Sequence, residues 1–149
     1  MVKTVNSMGR IIYSTKPSVT FINADYGSFI ANIKANWISP IKERKLIIAG
    51  TKKMIVYDDV DVLNKLIVYD KGFDVIRASD PMEYSEFVVK SRSGDAVIPR
   101  LDVGDALYNS LEHFRRCIID KTESLSGPDA AIRVLTVLEE ADKNMTISQ

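Results

Sequence analysis

The sequence predicts an α+β fold: an open-faced, predominantly antiparallel β-sheet with two C-terminal helices packed on one face. Three observations predict it. Apolar residues alternate with period two through most of the first hundred positions, the signature of strands with two different surfaces. The period changes to that of a helix only beyond Val103. The strand-like runs are joined by short connections, which demand antiparallel pairing.

The stretch Ser28 to Gly50 organises the rest. Phe29, Ala31, Ile33, Ala35 and Trp37 fall on one face of a long strand, and Ile30, Asn32, Lys34, Asn36 and Ile38 on the other. Ser39-Pro40 ends it, because proline lacks the ladder donor. After the charged run Lys42 to Lys45, Leu46 to Ala49 returns as the second arm of a long hairpin.

In chain order, Val2 to Met8 is an edge strand, continued by Arg10 to Tyr13 after a bulge at Gly9. Ser18 to Ala24 is a strand, and Asp25-Tyr26-Gly27 turns into the long one. Met54 to Tyr57 and Lys65 to Asp70 are strands around an acidic loop, Asp58 to Asp61. Phe73 to Met82 lacks periodicity and reads as a loop. Tyr84 to Ser91 alternates again, Ser93-Gly94-Asp95 reads as a turn, and Ala96 to Ile98 as a short strand.

The first helix carries the stripe Val103, Leu107, Leu111, Phe114 and Ile118, with Asp102 able to cap it. The second opens at Ser126-Gly127-Pro128, where proline suits the first helical position. Its stripe is Ala131, Val134, Leu135, Leu138 and Ala141. The polar tail after Asn144 is expected to fray. Two helices cannot cover both sides of so wide a sheet, so the second face is solvated or a partner surface.

At 149 residues the chain reads as one domain, spanning 1–149, with no nucleotide-binding domain. Twenty basic and twenty acidic side chains cancel, which removes the electrostatic case for nucleic acid or an anionic membrane. No apolar run approaches a membrane span, and the N-terminus shows no signal peptide. One cysteine, Cys117, excludes an internal disulfide and fits a cytoplasmic protein.

The sequence contains no glycine-rich phosphate loop, so no cofactor-binding residue is assigned. No Cys-x-x-Cys or His-Glu-x-x-His pattern occurs, so no metal ligand is assigned either. His113 reads as a histidine at the helix surface or boundary, and Asp58, Asp59 and Asp61 as a polar loop. Cys117 reads as a buried small hydrophobe. Lys42 and Arg44 could reach an anionic substrate, since arginine presents a bidentate fork, although such a run is more often a solvated hairpin end. Trp37 could stack on a sugar ring, although a strand tryptophan is more often core.

Several marks then stand in order: Asp25-Tyr26-Gly27, Trp37-Ile38-Ser39-Pro40, Lys42-Glu43-Arg44, Gly50-Thr51-Lys52 and Tyr57-Asp58-Asp59. Leu111 to Phe114, Ser126-Gly127 and Val134 to Glu139 follow. With these the chain resembles the C-terminal domain of the Gfo/Idh/MocA oxidoreductases, the relatives of glucose–fructose oxidoreductase and inositol dehydrogenase. The resemblance covers nearly the whole chain. It implies a sheet that supplies a substrate wall and an oligomer interface, beside an N-terminal Rossmann domain that binds NAD(P). That half, with the family's Glu-Lys-Pro segment and catalytic lysine, does not match here; Lys16-Pro17 follows Thr15 and is not that motif. His113 lies in the C-terminal helix and cannot inherit the family's catalytic histidine role.

The expected function is therefore that of a substrate-binding and oligomerisation domain of an NAD(P)-dependent sugar-type dehydrogenase, inactive alone, either working with a separately encoded Rossmann subunit or cut from a longer protein. No catalytic residue is assigned. The alternative is a non-catalytic binding or assembly module that retains the fold. Lys42, Arg44 and Trp37 are the substrate-side candidates. Ile30, Asn32, Lys34, Asn36 and Ile38 are the candidates for a homo-oligomer interface on the helix-free face.

Overall fold

The structure is a computed structural model and describes residues 1–13, 15–77, 87–101 and 104–148, with backbone alone at 74–77 and 87–90. It is an α+β fold of eight strands and two C-terminal helices among the described residues. The chain divides into two compact units, Met1–Pro40 with Gly104–Gln149, and Ile41–Val103.

The first unit holds strands β1 (Thr4–Arg10), β2 (Val19–Asp25) and β3 (Ile30–Asn36), helices α1 (Ala106–Asp120) and α2 (Pro128–Lys143), and strand β8 (Met145–Ser148). Its sheet runs β3-β2-β1-β8, antiparallel except for the parallel β1–β8 pair. The predicted alternation is visible in β1, where Val5 and Ser7 are buried between exposed neighbours. Register carries that face across the sheet: Val5 lies opposite Ala24 and Ala24 opposite Ala31. Val5, Ile22, Ala24 and Ala141 form the core, with Val137 and Ala31 packed against it. Thus α2 meets this face at its C-terminal end, through Ala141 and the half-buried Val137, while Ala131, Val134, Leu135 and Leu138 of its expected stripe stay exposed.

The β2–β3 turn follows the sequence reading. Gly27 takes φ 83°, a region that favours glycine, and its N–H is accepted by Asp25 Oδ1 at 2.6 Å. Tyr26 and Phe29 stack across it with ring centroids 4.6 Å apart.

The second unit holds β4 (Lys45–Ala49), β5 (Met54–Asp58), β6 (Leu66–Arg77) and β7 (Phe87–Val97), an antiparallel sheet in chain order. Arg92 Nη2 clamps it, donating to the Lys52 carbonyl at 2.7 Å and to Asp70 Oδ1 at 2.8 Å.

Several expectations need correction. The single wide sheet is two four-stranded sheets, and the expected long hairpin does not form: β3 pairs with β2, and β4 with β5. The long strand ends at Asn36, because Asn36 Oδ1 accepts the Ile38 N–H at 3.1 Å and turns the chain. No bulge interrupts Gly9, which pairs in register with Thr20, and β1 ends at Arg10.

Phe73 to Arg77 is strand, not loop; the rest of that expected loop, and Tyr84 to Glu86, lie outside the described residues. Ser93-Gly94-Asp95 lies within β7 instead of turning. The ladder is irregular between Tyr69 and Lys71, and a Cβ at Gly94 would meet Asp70 Oδ2 at 2.6 Å, so glycine permits this close approach. Asp102 and Val103 lie outside the described residues; the cap of α1 is Asp105, whose carboxylate accepts the Tyr108 N–H at 2.8 Å. The tail does not fray: Met145 to Ser148 pairs with Ser7 to Arg10.

Candidate functional site

The face of the first sheet opposite the α2 core is built by the other half of each alternation. Register aligns Asn6, Asn23 and Asn32 in one row across β1, β2 and β3. Met8, Phe21 and Lys34 form the next row. Asn32 Nδ2 donates to Asn23 Oδ1 at 2.6 Å, so the polar row is bonded within itself. Around it Met8 is 57%, Phe21 43% and Ile30 75% exposed.

The predicted interface residues fall on this face in part. Ile30, Asn32, Lys34 and Asn36 are exposed on β3, and so are Ile33 and Ala35 of its other face. Asn36 also holds the chain turn at Ile38. Ile38 itself is half-buried and lies beyond the strand. Met8 and Phe21 were missed by the sequence reading. Their period-two positions in β1 and β2 were the signal, but only register shows that they share a row with Lys34.

The predicted substrate-side residues divide between the units. Trp37 belongs to the first; it is 68% exposed, which sets aside its reading as core, and its Nε1 donates to the Pro17 carbonyl at 3.4 Å. Lys42 and Arg44 belong to the second, ahead of β4. Lys42 is exposed. Arg44 Nη1 lies 3.6 Å from Asp59 Oδ2, and the Arg44 carbonyl accepts the Asp59 N–H at 2.9 Å. Its guanidinium is thus oriented by a carboxylate, with its side chain 65% exposed to solvent.

Asp59 is the hub of this cluster. Lys65 Nζ reaches its Oδ1 at 2.9 Å, and Tyr57 donates its hydroxyl to the same oxygen at 3.1 Å. The Lys65 hydrogen bond, then that of Tyr57, holds the Asp59 carboxyl below its usual range. The same contact raises Lys65. Asp58 is lowered first by the Val60 N–H and then by Lys45, 3.1 Å away. Asp61 is lowered by the backbone and then the side chain of Asn64, whose N–H it accepts at 2.9 Å. Each acidic side chain of the loop is therefore matched by cations or N–H donors of its own unit. Among the described residues, no three His, Cys, Asp or Glu side chains group to hold a metal ion.

Elsewhere, a groove of about 620 Å³ opens beside β1 and α2, lined by Lys3, Thr136, Glu140 and Asn144 among others. None of the predicted site residues lines it. No helix among the described residues is long and apolar enough to cross a membrane.

No family model matches the sequence, and no curated protein matches it. Among solved structures, the chain is similar to the UDP-N-acetylglucosamine 3-dehydrogenase GnnA of Acidithiobacillus ferrooxidans, with a TM-score of 0.69 and 18% sequence identity. The match takes in 97% of this chain and 42% of that one. The likeness is one of fold, and the chain spans less than half the length of the dehydrogenase it resembles.

Proposed function

We propose that this chain is the substrate-binding and oligomerisation part of an NAD(P)-dependent sugar-type dehydrogenase, and that a Rossmann domain supplies the cofactor site. The observation that carries the reading is the fold match, in which nearly all of this chain superposes on 42% of a nucleotide-sugar dehydrogenase. The sequence resemblance to the C-terminal domain of the Gfo/Idh/MocA oxidoreductases points to the same part of such an enzyme. The exposed apolar row beside Asn32 supports a homodimer, or a dimer of dimers, through the helix-free sheet face. Lys42 and Arg44 are its candidate contacts to a substrate anion, and Trp37 to a sugar ring. The protein would work in the cytoplasm.

Hydride transfer requires a bound nicotinamide, so turnover requires the second domain. The test is reconstitution. The chain is co-expressed with a Rossmann protein from its gene neighbourhood that carries G-x-G-x-x-G and Glu-Lys-Pro. NAD(P)H absorbance is then followed with UDP-N-acetylglucosamine and simpler sugars. Turnover that needs both proteins supports the proposal. A stable complex without turnover on any sugar would favour the assembly-module reading instead.

A further inference from the structure

The connection between the two helices folds back along α1. Lys121 adopts φ 53°, ψ 40°, and its N–H bonds the Cys117 carbonyl. The Thr122 N–H reaches the same carbonyl at 3.2 Å. Cys117 Sγ lies 3.8 Å from the Glu123 carbonyl, to which it donates. The Leu125 N–H then donates to His113 Nε2 at 3.2 Å. Two residues later Gly127 caps α2. The Leu125 side chain is 89% exposed, so burial does not hold this part of the connection.

A backbone N–H can only donate, so Nε2 must carry its lone pair. The ring is then neutral, with its proton on Nδ1. We infer that His113 is a proton-sensitive latch on the helix–helix connection, closed by the neutral imidazole and opened when the ring is protonated. An imidazolium has two donors and no acceptor, so the protonated ring would set N–H against N–H.

The surroundings do not compensate for opening. On α1 the Cys117 thiol lies 3.6 Å from Nε2 and 4.0 Å from Nδ1. The adjacent carboxylate, Glu112, is engaged by Arg115 at 2.7 Å and by Arg116 at 2.9 Å. The charged residues of the connection are Lys121 and Glu123, and Glu123 meets Cys117 through its backbone carbonyl. Among the described residues, α2 brings no titratable side chain into hydrogen bond or ion pair with the ring. Opening therefore releases the entry to α2, while Ala141 near its other end stays in the core.

The experiment is an NMR titration of the full chain, reading the ¹⁵N shifts of the His113 ring and the Leu125 amide together. An unprotonated Nε2 is expected at neutral pH. On acidification the Leu125 amide proton should move upfield with the midpoint of the ring and lose its exchange protection, corrected for the intrinsic rate. His113→Gln retains an acceptor that does not titrate, so Leu125 should then be flat with pH. A proton on Nε2 at neutral pH, or a Leu125 amide unmoved while His113 titrates, overturns the inference. So does a Leu125 transition that survives in His113→Gln, and the wild-type titration decides even if that variant fails to fold.

Discussion

Ser7 Oγ donates to the carbonyl of Ala141 at 2.5 Å, joining the middle of β1 to the last turn of α2 across 134 positions of sequence. Both residues are buried, at 9% and 2% exposure. The bond satisfies one of the terminal helix carbonyls that no residue of α2 itself can reach. Asn144 Nδ2, donating to the Val5 carbonyl at 3.1 Å, makes a second tie beside it.

Ser7→Ala should therefore destabilise the first unit by about 1–3 kcal/mol, the cost of leaving a buried acceptor unpaired. Urea unfolding followed by far-UV circular dichroism measures this. A change within a few tenths of a kcal/mol would mean that water replaces the hydroxyl.

Acid should titrate Glu112 late. The hydrogen bond from Arg115, then that from Arg116, lowers its carboxyl from 4.5 to about 2. The folded value lies below the unfolded one. The interaction therefore contributes fully above about pH 4.5 and is lost as pH falls through about 2. Carboxyl ¹³C shifts across pH 1.5–6 read this directly. Arg115→Ala should move the midpoint upward, and an unchanged midpoint would reject the pairing in solution.

The helix-free face should hold two copies together. Light scattering at micromolar concentration is expected to give at least a dimer. Ile30→Asp places a charge on the exposed apolar part of that face and should weaken association by about 2 kcal/mol, roughly 30-fold in Kd. A wild-type chain that runs as a clean monomer would remove this proposal.

Alone, the chain should neither bind NAD(P) usefully nor oxidise sugars. Calorimetry that detects micromolar NAD(P)H binding to it would contradict this expectation. In the reconstituted enzyme, Arg44→Ala should raise KM with the fold intact, because a solvent-screened ion pair such as that with Asp59 contributes little to stability. Unchanged kinetics would leave Arg44 as a surface partner of Asp59.

By itself the sequence determined the α+β class, most strand positions and both helices. The physical reason is that side-chain periodicity is local: Thr4 to Arg10 alternates, and α2 starts at Pro128, whatever lies elsewhere. The assignment of Ile30, Asn32, Lys34 and Asn36 to one side of β3 rests on the same local periodicity. Only the tertiary structure decided which strands are neighbours. Leu46 to Ala49 has the pattern of a hairpin arm for β3, yet it pairs with Met54 to Asp58. Met145 to Ser148 is too short and polar to announce a strand, and it becomes one because Ser7 to Arg10 offers it an edge. Ser93-Gly94-Asp95 has turn composition but stays extended, held where β6 brings Asp70 against Gly94 and Arg92. Exposure was decided in the same way. Trp37 lies beyond the end of β3, past the turn that Asn36 makes, and it is 68% exposed. Pairing and burial depend on residues far away in sequence, and no local pattern encodes them.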